Sequence, residues 1–199
     1  SLDTHHPGLR KLVKLLIPAL IGLSVAQINL FVTQYLAISR AAEGVYTALL
    51  TANRFFQLPY GVFAIAICTA IFPAMTAQAA TGEMDEMKDS LSMALRNISF
   101  VLLPSAVGLI LLREPIIRLL YEFSGKFTPE MTAITGEALL FYSLGLIAYG
   151  AAMALCRGFY AIQNTLTPVL VSVLAIAVNI LLSLALVGPL SYRGLALAY

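Results

Sequence analysis

The chain has 199 residues, of which 60% are apolar and 11% charged, against roughly 45–50% and about 25% in a soluble domain. Its mean hydropathy of +0.89 implies more apolar surface than one aqueous core of this size can cover, and it excludes disorder. Twelve basic and 10 acidic residues leave a net charge of +2, without the concentrated basic face that nucleic acid requires. A polytopic membrane protein remains.

Residues Ser1 to Gly8 are polar, and the apolar stretch behind them is too long for the h-region of a signal peptide. His5 and His6 are adjacent on a turn with Pro7 and Gly8, and two neighbours cannot complete a metal site. The chain lacks an initiator Met and stops inside an apolar stretch at Tyr199, so it reads as a piece of a longer protein.

A spanning helix needs about 20 mostly apolar residues. The first candidate lies between Lys14 and Arg40, and the second between Glu43 and Glu83. The third runs from about Leu91 to Leu112 through Pro104, and its short uncharged core requires Arg96 to snorkel or the helix to sit beside a thin or wet region. The fourth runs from about Thr132 to Arg157, and the fifth from Pro168 to Gly188. A sixth starts after Arg193 and is truncated. The expected fold is therefore all-α: a membrane helix bundle of five complete spans plus a truncated sixth, forming a single lobe.

Local signals mark the ends. Thr128-Pro129-Glu130 supplies an N-cap, a proline at the first helical position and an acid in the first turn. Thr167-Pro168 repeats the device, Gly188-Pro189 stops the fifth span, and Thr81-Gly82 breaks the second. Residues 82–96 alternate acids with Met87, Leu91 and Leu95 at helical spacing, the pattern of an amphipathic helix on the cytoplasmic surface. Its acids Glu83, Asp85, Glu86 and Asp89 read as a solvated face. The Arg10-Lys11-Lys14 cluster favours a cytoplasmic N-terminal end.

Arg54 is the only charge between Gly44 and Gly82. It lies about 15 Å along a helix from Gly44, and intramembrane arginines usually face an interior or a wet cavity. Asn53 and Gln57 share its broad helical face. Pro59 removes the hydrogen bond to the Phe55 carbonyl, which predicts a kink one turn away. An arginine fork suits phosphate or carboxylate, so one reading is an anionic group held in a water-filled cavity. The other is structural, with Arg54 paired to carbonyls or to a neighbouring helix.

The first span carries Gln27, Asn29 and Thr33, and the fifth carries Asn179 and Ser183. Interhelical hydrogen bonding and a polar cavity or cation site both account for them. Glu137 lies near the start of the fourth span, within reach of the interface. Cys68 and Cys156 form no disulfide framework. No paired carboxylates, intramembrane His, Ser/His/Asp set, HExxH, P-loop or GxGxxG occurs, so no catalytic residue, metal site or cofactor is expected.

The run Ala52-Asn53-Arg54-Phe55-Phe56-Gln57-Leu58-Pro59-Tyr60-Gly61-Val62 resembles the signature of the MurJ (MviN) family of lipid II flippases. Gln27-Ile28-Asn29-Leu30, Glu114 to Leu120, Gly125 to Thr128, Gly158 to Ala161 and Asn164 to Pro168 agree in order and spacing. The resemblance implies one half of a two-lobe exporter fold, here the second lobe, in the bacterial cytoplasmic (inner) membrane. It implies export of lipid II, the undecaprenyl-diphosphate-linked disaccharide-pentapeptide, by alternating access against the missing N-terminal lobe. Membrane lipids would be the other partners, and nucleic acid none. It also implies that Arg54 meets the diphosphate-sugar head group, flanked by Asn53 and Gln57. A sodium site described in the family falls at Thr33, Asn179 and Ser183, where only Asn179 keeps its ligand type. The competing functions are another polysaccharide-lipid or multidrug exporter of the same superfamily, a polyprenyl-phosphate transferase, and a structural scaffold. A transferase needs carboxylates at the membrane face, and a scaffold has no need of Arg54.

Overall fold

The computed structural model describes residues 44–122 and 127–190, with side chains to residue 186, and the isolated helical positions Gln27, Phe31, Gln34, Tyr35 and Ile38. Every regular element among them is helical. α1 (Val45–Pro59), a π-helical segment (Tyr60–Ile65) and α2 (Ala66–Thr81) run end to end. α3 (Met84–Leu120), α4 (Pro129–Ala161) and α5 (Leu166–Leu190) follow.

Four helical stretches among the described residues are long and apolar enough to cross a membrane: Val45–Thr81, Met84–Leu120, Pro129–Ala161 and Leu166–Leu186. These are the second to fifth of the expected spans; the full count of five and a truncated sixth is not matched among the described residues. The first candidate, between Lys14 and Arg40, and the stub after Arg193 lie outside the described residues, apart from the isolated positions above. The fifth candidate runs through Gly188 and Pro189 to Leu190 instead of stopping at Gly188. The third is longer than its uncharged core suggests. Residues 84–96 are its first turns, and the helix continues through Pro104 and Pro115 for 37 residues, about 55 Å.

The helix ends follow from local chemistry. Gly82 has φ 81°, a left-handed conformation that costs glycine nothing. There Glu83 N–H bonds Gln78 O at 2.9 Å and Gly82 N–H bonds Ala79 O at 3.4 Å, closing α2. α4 starts as its sequence directs: Thr128 accepts from Met131 N–H at 3.2 Å and Pro129 opens the helix. α5 departs from expectation. It begins at Leu166, before Thr167, and the side chain that serves its first turn is Asn164, whose Oδ1 accepts from Thr167 N–H at 3.1 Å. Pro168 is then the third helical residue, where its missing N–H is still one the helix leaves unpaired.

The bundle closes through small residues. α3 and α4 make the most extensive contact, and Gly150, Ala154 and Gly158 are buried on α4. A Cβ at Gly150 would sit 2.5 Å from Leu102 Cδ1 and 2.7 Å from Ile98 Cγ2. The backbones therefore approach as closely as small residues permit, the packing mode of helices in lipid. α1 packs against α4, whereas α2 lies mainly on α3. The main core joins α1, α3 and α4, and a separate small cluster of Met75, Met87 and Ala161 closes the far end of α2. Outward faces are apolar: Phe100, Leu103 and Leu111 on α3, and Leu170, Leu174 and Leu181 on α5, are exposed. In water that surface would be a liability, and in lipid it is the solvated face.

Candidate functional site

The rotation of α1 about its axis decides where its polar residues go. Val45, Ala48, Leu49, Thr51, Ala52, Phe55 and Phe56 are buried. Phe55 meets Tyr121 edge-on, with ring centroids 6.0 Å apart. Phe56 stacks on Tyr60 at 6.1 Å and meets Tyr142 at 6.2 Å and Tyr149 at 5.3 Å, both edge-on. Such edge and offset contacts suit the ring quadrupoles and fix orientation. With two phenylalanines held inward, the opposite side of α1 faces out, carrying Thr47, Leu50, Arg54, Gln57 and Leu58.

Arg54 is exposed on this open face, and among the described residues no hydrogen bond or ion pair engages its guanidinium. Asn53 is half-buried at its edge and accepts at Oδ1 from Gln57 Nε2. The structure thus brings Asn53, Arg54 and Gln57 together as one polar strip on an otherwise apolar rod. A permanent cation with a planar donor fork, beside two amides, can bind an anionic group and hydrogen-bond its neutral attachments. Below the strip the face stays open, since a Cβ at Gly61 would find nothing within 4 Å.

At Pro59 the helix passes directly into the π-helical segment Tyr60–Ile65, a feature the sequence reading did not foresee. A π turn absorbs one extra residue and recurs at functional sites. Tyr60 within it donates from its hydroxyl to Met153 Sδ on α4 at 2.9 Å.

The remaining candidates are not gathered at this strip. Asn179 is half-buried and Ser183 buried, four residues apart on α5, which lies lightly against α4. Gln27 is helical and exposed, and Asn29 and Thr33 lie outside the described residues. Glu137 is half-buried on α4. Glu83, Asp85, Glu86 and Asp89 are exposed at the start of α3, where Lys88 pairs with Asp85 at 2.8 Å. Two features escaped the sequence reading. One is the cluster of Tyr60, Tyr149 and Met153. The other is Arg157, whose guanidinium lies 5.4 Å from the centroid of the Phe72 ring. The spacing of Phe56 and Tyr60, four apart, was the available signal for the first.

The comparisons agree with this architecture. The family described as lipid II flippase MurJ matches residues 1–199. A relative from Rhizobium meliloti (strain 1021), named probable lipid II flippase MurJ, is 36% identical over 192 residues, 96% of this chain and 35% of the relative. One of the same name from Vibrio cholerae serotype O1 is 34% identical, again over 96% of this chain, and 36% of its own length is covered. The solved structure "Lipid II flippase MurJ, inward closed conformation" is similar with a TM-score of 0.82 and 34% identity, covering 98% of this chain and 40% of that one. The chain therefore spans a little over a third of the length of the curated relatives it matches, and it belongs to the MurJ family.

Proposed function

We propose that this chain is the second lobe of a lipid II flippase, a transporter and not an enzyme, in the bacterial cytoplasmic membrane. The lobe has five complete spans and the start of a sixth, with residues 82–96 at the cytoplasmic surface. The N-terminal lobe closes over the open face of α1, and the two enclose a wet cavity. Within it Arg54 binds the diphosphate of the lipid-linked precursor, and Asn53 and Gln57 bind the sugar beside it. Moving that head group across about 30 Å of hydrocarbon requires the protein to replace its lost hydration. A permanent cation on an open face does so without enclosing the ligand on all sides.

The observation that carries this reading is the Asn53–Arg54–Gln57 strip, turned outward on a membrane helix whose opposite side is locked by aromatic packing. The full-length protein should therefore rescue cells depleted of their own flippase and prevent lipid II from accumulating. Continued accumulation with the protein inserted at normal levels would sink the proposal.

A further inference from the structure

We propose that the π-helical segment Tyr60–Ile65 is a pivot on which α2 swings relative to α1, and that Arg157 is the positioning residue that latches α2 in place. The two halves of this span are held very differently. α1 buries seven of its 15 residues, all but Thr51 of them in the main core. α2 buries only two of 16, Cys68 and Met75. The far end of α2 rests on a small cluster of its own, in which Ile71, Phe72 and Ala79 pack around Met75, Met87 and Ala161. The start of α2, next to the π turn, is held in the main core by Cys68 and Ile67, and two further ties beyond that point are single side-chain contacts. Arg157 of α4 covers the Phe72 ring at 5.4 Å, and Ser90 of α3 donates to Gln78 Oε1 at 3.0 Å.

Between the halves lies backbone suited to bending. Pro59 removes a helical hydrogen bond at the start of the π turn, and π turns are a recognised site of helix kinking. The space beside Gly61 is open. The Tyr60–Met153 hydrogen bond and the Tyr60–Tyr149 contact at 5.8 Å tie the start of the pivot to α4, on the fixed side. Arg54 and Gln57 sit just before the pivot. They would stay in place while α2 opens or closes one side of the cavity. That gating role rests on the flippase reading, whereas the pivot itself does not.

The test uses paired spin labels in the full-length protein, without substrate, with Cys68 and Cys156 replaced by alanine. One pair, at Ala74 and Leu155, reports α2 against α4. A second, at Thr47 and Leu144, reports α1 against α4. All four positions are exposed. Arg157→Gln and, independently, Phe72→Leu should add a displaced population to the Ala74–Leu155 distance and leave the Thr47–Leu144 distance unchanged. Arg157→Lys, which keeps the cation over the ring, should restore the parental distribution. An unchanged Ala74–Leu155 distance in both disrupting variants overturns the latch. An equal shift of both pairs overturns the pivot, because the span then moves as one rod. Since no substrate is present, either failure is distinct from failure of the flippase reading.

Discussion

Gly145 and Gly150 are both glycines on α4, and only the packing tells them apart. A Cβ at Gly150 would drive into Leu102 and Ile98 of α3, whereas one at Gly145 would meet nothing within 4 Å. Gly150→Val should therefore cost roughly 1–3 kcal/mol through overpacking, and Gly145→Ala should be neutral or gain up to about 1 kcal/mol in helix propensity. Thermal unfolding of the full-length protein in detergent measures both, and equal effects would contradict the packing described here. The polar residues divide in a similar way. That Arg54, Asn53 and Gln57 share one face was legible because a charge in an apolar run stands out, and helical spacing places its neighbours. The Arg157–Phe72 and Tyr60–Met153 contacts were not. A contact between helices depends on how each is rotated about its axis, which the spacing within one helix does not fix.

Element boundaries were readable where a residue has only one comfortable place. Gly82 ends α2 because the turn needs a positive φ, and Thr128-Pro129 starts α4 as its chemistry dictates. Thr167-Pro168 misled for a physical reason: proline is tolerated anywhere in a first turn, so it does not set the register of the cap. Asn164 serves the first turn, accepting from Thr167 N–H and donating from Nδ2 to Thr167 Oγ1 at 2.9 Å. Asn164→Ala should cost about 1 kcal/mol, read from the same unfolding transition. Thr167→Ser keeps the backbone donor and a hydroxyl, and should be nearly silent. A silent Asn164→Ala would contradict that role. Pro59 taught a related lesson. Its missing donor can be absorbed by a kink or by an added residue in a π turn. Phe56 and Tyr60 pack against Tyr149 on α4 beside the π turn found here, contacts outside the reach of local pattern.

At the scale of the whole molecule, composition sufficed for the class: the described residues form a helical bundle whose apolar surface faces out along α3 and α5. The number of spans was less secure. Four stand among the described residues, and α3 runs far past the uncharged stretch that marked it. Charge at an interface limits the hydrocarbon-facing length of a helix, and not the helix itself. The proposed function depends on a surface that is open among the described residues, the polar side of α1. The most direct test of that claim is lipid II translocation in cells carrying full-length protein with Arg54→Ala or Arg54→Lys, at matched levels. Both variants should insert and fold, since Arg54 is exposed; Arg54→Ala in addition relieves an intramembrane insertion cost of about 2.5–3.5 kcal/mol, and Arg54→Lys leaves the charge unchanged. Arg54→Ala should abolish translocation, and Arg54→Lys should retain part of it, keeping the charge without the planar fork. Translocation at the parental rate with Arg54→Ala would show that the head group is held elsewhere.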